Sequence, residues 1–397
     1  MAAALSQTGR RQAFVAAARR ELQAIRASPW DWGMVTVLPA VMLVVLTWLF
    51  TAGAMHRQPV VVVDQDNSAA SRQLVRALDA SPGLKVVARI GNPEEGWSRI
   101  RRLDAIAMVL VPSRTSRELL RGEPGTVFAY YNASYLAPSQ AAARDIGDAV
   151  SAFNRAWVVD EVAMRAPARV KGPPVAVQSA ILFNQARSFE HFLLGLLFPA
   201  VLHLVAALAM TASLGRELRD GNAREWLRAS GGHGVAMLAG KLAPYVGLFT
   251  LYGLAGLLYL AVKPGIGLAG SLPVLLCAQI LLYTACAGLA LLCVGASRDM
   301  GTALSVIGVS VGTAMAFAGA TFPVIGAPLF TRVWNVLLPL TAYVKVQAQQ
   351  LDMGAPWQSS LLPLGTLLLL TLVPGTIGGM LFLRIARKPV AIADARQ

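Results

Sequence analysis

Long uncharged runs of apolar residues alternate with charged stretches along this chain. The runs at 33–54, 192–214, 242–262, 273–296, 301–322 and 361–383 each match the roughly 20 residues a helix needs to cross a hydrocarbon layer. Pro39 lies inside the first and predicts a kink, which neighbouring helices can accommodate in a membrane. No charge occurs between Pro264 and Ser297, so the break between the third and fourth runs rests on Pro264, Gly265, Gly267, Gly270 and Pro273. The run from Gly301 breaks near Pro323, Gly326 and Pro328. Residues 323–360, with Trp334, Pro339 and Trp357, read as an external interfacial or re-entrant segment, because aromatic rings favour the headgroup level.

Between the first and second spans, residues 55–191 are hydrophilic and too long for a loop. Strands are predicted at Pro59–Val63, Leu84–Ala88, Ala105–Val111 and Thr126–Tyr131, and helices at Ser68–Asp79, Pro93–Leu103, Ser113–Arg121 and about 138–165. In the last helix Ala142, Ile146, Ala149, Val150, Phe153 and Trp157 form one apolar stripe. Ala105–Val111 has the continuous apolar character of a strand buried on both faces. The alternation argues for a small α/β domain. The expected class is therefore a polytopic α-helical membrane protein, with six transmembrane helices and an inserted extracytoplasmic α/β domain.

Composition agrees: 55% of residues are hydrophobic and only 14% charged, although the formal net charge is +14. A soluble chain with that charge points first to nucleic acid. Here the arginines flank apolar runs, and topology with anionic lipid accounts for them, so no nucleic-acid partner is expected. With six spans both termini share one side. Arg10, Arg11, Arg19, Arg20 and Arg26, then Arg216, Arg219, Arg224 and Arg228, then Arg384, Arg387, Lys388 and Arg396 all fall on that side, the cytoplasmic one by the positive-inside rule. The expected order is a cytoplasmic segment 1–32, a first span 33–54, a periplasmic domain 55–191, spans within 192–384 and a cytoplasmic tail 385–397 of a bacterial inner-membrane protein. The first apolar run is too long, and begins too late, for a cleavable signal. Residues 10–27 read as an amphipathic helix with Phe14, Ala18, Leu22 and Ile25 on one face, lying on the membrane or forming a solvated tail. Cys277, Cys286 and Cys293 share one apolar run and read as packing residues.

The stretch GRELRDGNAREWLRASGGHGVAMLAGK, residues 215–241, lies between the second and third spans. A short helix carrying Leu218, Trp226 and Leu227 among charges could press into a cleft on a partner; on the residues alone an ordinary solvated loop is equally good. His203 falls within a span, so it is a candidate for a transport path, or a neutral histidine bonded to a neighbouring helix. Gly240–Lys241 lacks the serine or threonine and the glycine spacing of a P-loop. The Gly308-Val-Ser-Val-Gly312 run sits inside a span and reads as close helix packing rather than a nucleophile elbow. Asp64, Asp66 and Ser68 begin like a calcium loop but lack its glycine and final glutamate, which leaves a strand-to-helix turn with Ser68 as N-cap. No catalytic residue, cofactor or metal site is expected.

The 215–241 segment resembles the cytoplasmic loop of type 2 ABC exporter permeases, where an acidic-basic segment, a Gly, a Glu and a Leu precede a Gly-Lys; here these are Glu217, Gly221, Glu225, Leu227, Gly240 and Lys241. Asn222 stands in place of the usual Thr, and Trp226 departs from the family's aliphatic or polar residue. The segments Val60–Val87, Ala107–Pro124, Ile181–Pro199 (with Gln185 for the usual Pro) and Ala320–Val344 are similar to the family's further units in the same order. The resemblance implies a permease without ATPase activity of its own, exporting a hydrophobic or amphipathic substrate such as a drug, lipid or glycan. Its partners would be a cytoplasmic ABC ATPase, a second permease subunit in a homo- or heterodimer, and a periplasmic adaptor. Glu217, Gly221, Glu225, Trp226, Leu227 and Lys241 would couple it to the ATPase. The rival reading is a non-transporting sensor or scaffold whose external domain binds a ligand. A secondary transporter would show inverted repeats or charged spans.

Overall fold

In hydrocarbon a backbone must satisfy its own hydrogen bonds, so an uncharged run of this length folds as helix. The computed structural model describes residues 2–50, 57–121, 125–131, 136–164, 188–262, 267–319, 324 and 326–387. Among these, six helices are long and apolar enough to cross a membrane: Pro29–Phe50, Phe189–Arg219, Gly234–Val262, Leu272–Ser297, Met300–Phe317 and Trp357–Arg387. They stand where the apolar runs place them. Residues 51–54 and 320–322, Arg165, Gln185, Pro264, Gly265 and the tail from Lys388, on which further expectations fell, lie outside the described residues. By its contacts the chain divides into one unit of Met1–Thr51 with Ile181–Gln397, and another of Ala52–Ala180.

The first unit opens with α1 (Ala2–Ala27). The first span then runs as α2 (Pro29–Trp32), a π-helical turn (Gly33–Val37) and α3 (Leu38–Phe50). Pro39 has no N–H to give, and the π-helical turn lies just before it.

The second unit is α/β. Strands β1 (Gln58–Asp64), β2 (Leu84–Ile90), β3 (Ala107–Val111) and β4 (Phe128–Tyr131) form one sheet in the order β2-β1-β3-β4. β1 is parallel to β2 and β3, and β4 is antiparallel to β3. Helices α4 (Ala69–Asp79), α5 (Pro93–Arg101), α6 (Thr115–Leu120) and α7 (Leu136–Met164) complete it. Alternate residues of β1 point to opposite faces. Val60 and Val62 join Leu74, Leu78, Ile146 and Phe153 on one side, while Val61 and Val63 join Met108, Trp97 and Ile100 on the other. Thus β1 as well as β3 is covered on both faces. The apolar stripe of α7 faces this core, with Ala142, Ile146, Ala149 and Phe153 buried. Ser68 caps α4 through a reciprocal box with Ser71, and Asp64 accepts the backbone N–H groups of Asp66 and Asn67, as the strand-to-helix turn requires.

The rest of the first unit comprises α8 (Phe189–Arg219), α9 (Ala223–Ala229), α10 (Gly234–Val262), α11 (Leu272–Ser297), α12 (Met300–Gly312) with α13 (Ala314–Phe317), α14 (Leu329–Leu337), α15 (Pro339–Gln347) and α16 (Leu361–Arg387). α11 and α16 approach so closely that a β-carbon at Gly378 would overlap the backbone of Leu292, the small-residue packing typical of membrane helices. The glycine pair expected to pack closely does not do so among the described residues. Gly308 and Gly312 both face open space, because α12 turns its other face, with Ala303, Ile307 and Val311, to the core.

A polar seam joins α15 and the turn after it to the bundle. Pro199 cannot donate to the carbonyl of Gly195, four residues back. Gln347 of α15 takes up that carbonyl instead, at 2.6 Å. Gln279 of α11 donates to the Tyr343 hydroxyl, and His191 near the start of α8 meets Asp352.

Candidate functional site

Arg216, Glu217 and Arg219 stand in the last turn of α8, and Lys241 lies two turns into α10. These two helices run from the loop into the apolar bundle. Leu218, expected on the short loop helix, belongs to the end of α8; α9 is shorter and carries Trp226 and Leu227.

Lys241 is 3% exposed. Its Nζ donates to Glu217 Oε1 at 3.0 Å and to Glu21 of α1. Glu21 also accepts from Ser213 Oγ and Tyr245 Oη, each at 2.7 Å. Arg216 reaches both Asp31 and Glu21, and Arg20 lies 3.3 Å from Glu217. Carboxylates Glu21, Asp31 and Glu217 thus offset cations Arg20, Arg216 and Lys241 in one place. An unpaired charge there would cost several kcal/mol, of order 3–5 for breaking a buried pair. Burial alone would raise the Glu21 carboxyl. The charge and hydrogen bond of Lys241, with those of Tyr245 and Ser213, outweigh it and hold Glu21 below its ordinary value of 4.5. The Trp226 ring closes the cluster, with Lys241 Nζ 5.1 Å and Arg20 Cζ 5.5 Å from its centroid, within cation–π range.

This arrangement extends one reading from sequence and revises another. α1 is a helix, as expected; it buries Ala13, Ala17, Glu21 and Ile25 within the unit and leaves Phe14 and Leu22 exposed, on the side the sequence reading turned toward the membrane surface. The ion pairs of Glu21 turn that row inward against α10, and the small residues before it permit close approach. A β-carbon at Gly240 would overlap the Phe14 backbone. Second, the residues matched to a docking loop do not form one exposed surface. Glu217, Trp226, Leu227 and Lys241 are buried within the unit, and only Gly221 and Glu225 are exposed. Gly221 has φ of +71° and makes the turn between α8 and α9, a conformation that glycine adopts without strain. Sequence reasoning missed Glu21, Asp31, Ser213 and Tyr245. The available signal was that Glu21 is the sole acidic residue among residues 1–27.

His203 is fully buried midway along α8, and among the described residues neither ring nitrogen has a hydrogen-bond partner. The side-chain bond to a neighbouring helix, one of the two readings, is absent among the described residues; there the backbone carbonyl of His203 accepts from Cys286 Sγ. From Glu190 to Glu217 α8 covers roughly 40 Å, the thickness of a bilayer with its headgroups. It therefore links the polar seam at one end to the charged cluster at the other, with His203 between.

Compared with known proteins, the chain matches a family model described as ABC-2 family transporter protein over residues 29–379. None of the curated proteins matches it.

Proposed function

This chain belongs to the ABC-2 transporter family and has a permease role in ABC transport, and from that premise we propose that it is the membrane subunit of an ATP-driven exporter. Two such subunits, alike or related, pair in a bacterial inner membrane. ATPases on the cytoplasmic side dock against α9, and a hydrophobic or amphipathic substrate such as a drug, lipid or glycan leaves the cytoplasm or inner leaflet. The α/β unit lies outside, where it engages a periplasmic adaptor or the substrate. The observation that carries this reading is the seating of α9. Its exposed face offers Glu225, while Trp226 and Leu227 anchor the opposite face in the core that contains α8, α10 and α16. Leu227 and Leu383 of α16 meet over Gly234. A push on Glu225 is therefore delivered to the spans through packed side chains and the Lys241 cluster. Gly221 supplies the turn; Glu217 and Lys241 act as anchors.

The test is purification of the protein in mild detergent with its ATPase. Wild-type protein is expected to retain the ATPase, and Glu225→Lys to weaken it roughly tenfold or more, as charge reversal at an interface does. Retention undiminished in that variant removes α9 as the docking element. An absence of any ATPase from the wild-type complex removes the ATP-driven reading.

A further inference from the structure

α10, α11 and α16 enclose an open groove of about 830 Å³ in the first unit. Its floor is flat because Gly288 of α11 abuts Gly375 of α16, with a β-carbon at Gly288 meeting the Gly375 nitrogen at 3.1 Å. Its walls are apolar, and their hydroxyls are already engaged: Thr250, Thr371 and Thr376 each donate to a carbonyl of their own helix, at 2.7–2.9 Å. The groove therefore has little to offer a polar ligand.

The α16 wall has two rows. Leu372, Thr376 and Met380 form one; Gly375, Gly379 and Leu383 form the other. Residues four apart share a helix face. The first row continues one step further into Arg384 and the second into Arg387, both exposed. From Thr371 to Leu383 the wall is roughly 18 Å long, slightly more than the ~15 Å of one leaflet's hydrocarbon.

We propose that this groove holds one acyl chain of an anionic phospholipid, with its phosphate at Arg384 and Arg387. An apolar trough one leaflet long, set in membrane-crossing helices and ending in two cations, matches such a lipid in both length and charge. A second copy of this chain fits less well, since a two-fold pairing through the groove would bring the arginines of both copies together. The lipid phosphate would sit beside Leu383, where α16 meets α9, so lipid charge and the coupling helix would share one end of the bundle.

The test uses full-length protein, stripped in detergent and titrated with phosphatidylglycerol or phosphatidylcholine of equal chain length, with bound lipid read by native mass spectrometry. Wild-type protein is expected to prefer phosphatidylglycerol. Gly247→Leu with Gly379→Leu fills the groove, at positions where a β-carbon meets nothing closer than 4.0 Å, and both lipids are then lost. Arg384→Gln with Arg387→Gln leaves phosphatidylcholine binding unchanged and weakens phosphatidylglycerol roughly 30-fold, about 2 kcal/mol. Equal retention of phosphatidylglycerol by all the variants overturns the site. Displacement by inorganic phosphate would show a phosphate site rather than a lipid one. Disulfide pairing of Thr250→Cys across two copies would show that another subunit fills the groove. The readout needs no ATPase and no transport, so its failure leaves the permease reading untouched.

Discussion

Lys241 shows how one residue's neighbourhood decides its role. Read in sequence, it follows Gly240 at the start of a span, a pair that fails the P-loop pattern and resembles the family's coupling motif. In the fold it is enclosed by Glu21, Glu217 and the Trp226 ring. Removing the cation leaves two carboxylates facing each other in a buried place. Lys241→Met is expected to destabilise the unit by about 3–5 kcal/mol, seen as a lowered unfolding midpoint in detergent, and adding Glu21→Gln should restore part of the loss. The Glu21 carboxyl is held below 4.5. Its stabilisation is therefore fully present above that value and is lost as pH falls through the folded-state value. The wild-type midpoint should drop toward that of Glu21→Gln in acid, and the gap between the two should be constant at neutral pH. A gap that does not change with acidification would show that Glu21 does not titrate in the contact.

At the scale of elements, the decisive contact is the crossing of α1 over α10 at Gly240. Helix α1 brings Ala13, Ala17 and Glu21 against its neighbour only because Gly240 has no side chain in the way. Gly240→Val should lift α1 away. With the native cysteines replaced by serine, Ala17→Cys is expected to resist maleimide in the otherwise wild-type chain and to react at least tenfold faster beside Gly240→Val, since Ala17 is 5% exposed. Equal reactivity would show that the helices do not depend on this approach. The periodicity of α1 predicted a helix but not its buried face. Hydrophobicity turned Phe14 and Leu22 toward the membrane surface, whereas ion pairing at Glu21 and backbone proximity selected the smaller row for the contact with α10.

For the whole molecule, the proposed function places α9 and the α/β unit on opposite sides of the membrane. With the native cysteines replaced by serine, Arg117→Cys on α6 should react with a membrane-impermeant maleimide in cells whose outer membrane alone has been opened. Glu225→Cys on α9 should react only after the inner membrane is permeabilised. Labelling of both from one side would remove the proposed arrangement, including the docking of a cytoplasmic ATPase. The spans were legible because lipid imposes length and apolarity on any helix that crosses it. The α/β unit was legible because its strands and helices alternate within short distances and carry their own turn signals, such as Ser68 before α4.

Sequence by itself therefore determined the number and place of the long apolar helices, the α/β insertion and the loop that contains α9. Each rests on local periodicity, which a chain carries wherever it folds. Only tertiary structure decided that Glu21 meets Lys241 across 220 positions, that Trp226 turns inward, that Gln347 answers the carbonyl Pro199 leaves free, and that α16's lining rows end in Arg384 and Arg387 beside a groove. Partners so far apart along the chain share no local pattern. Their pairing follows from which helices pack together, and that depends on where glycine lets two backbones touch.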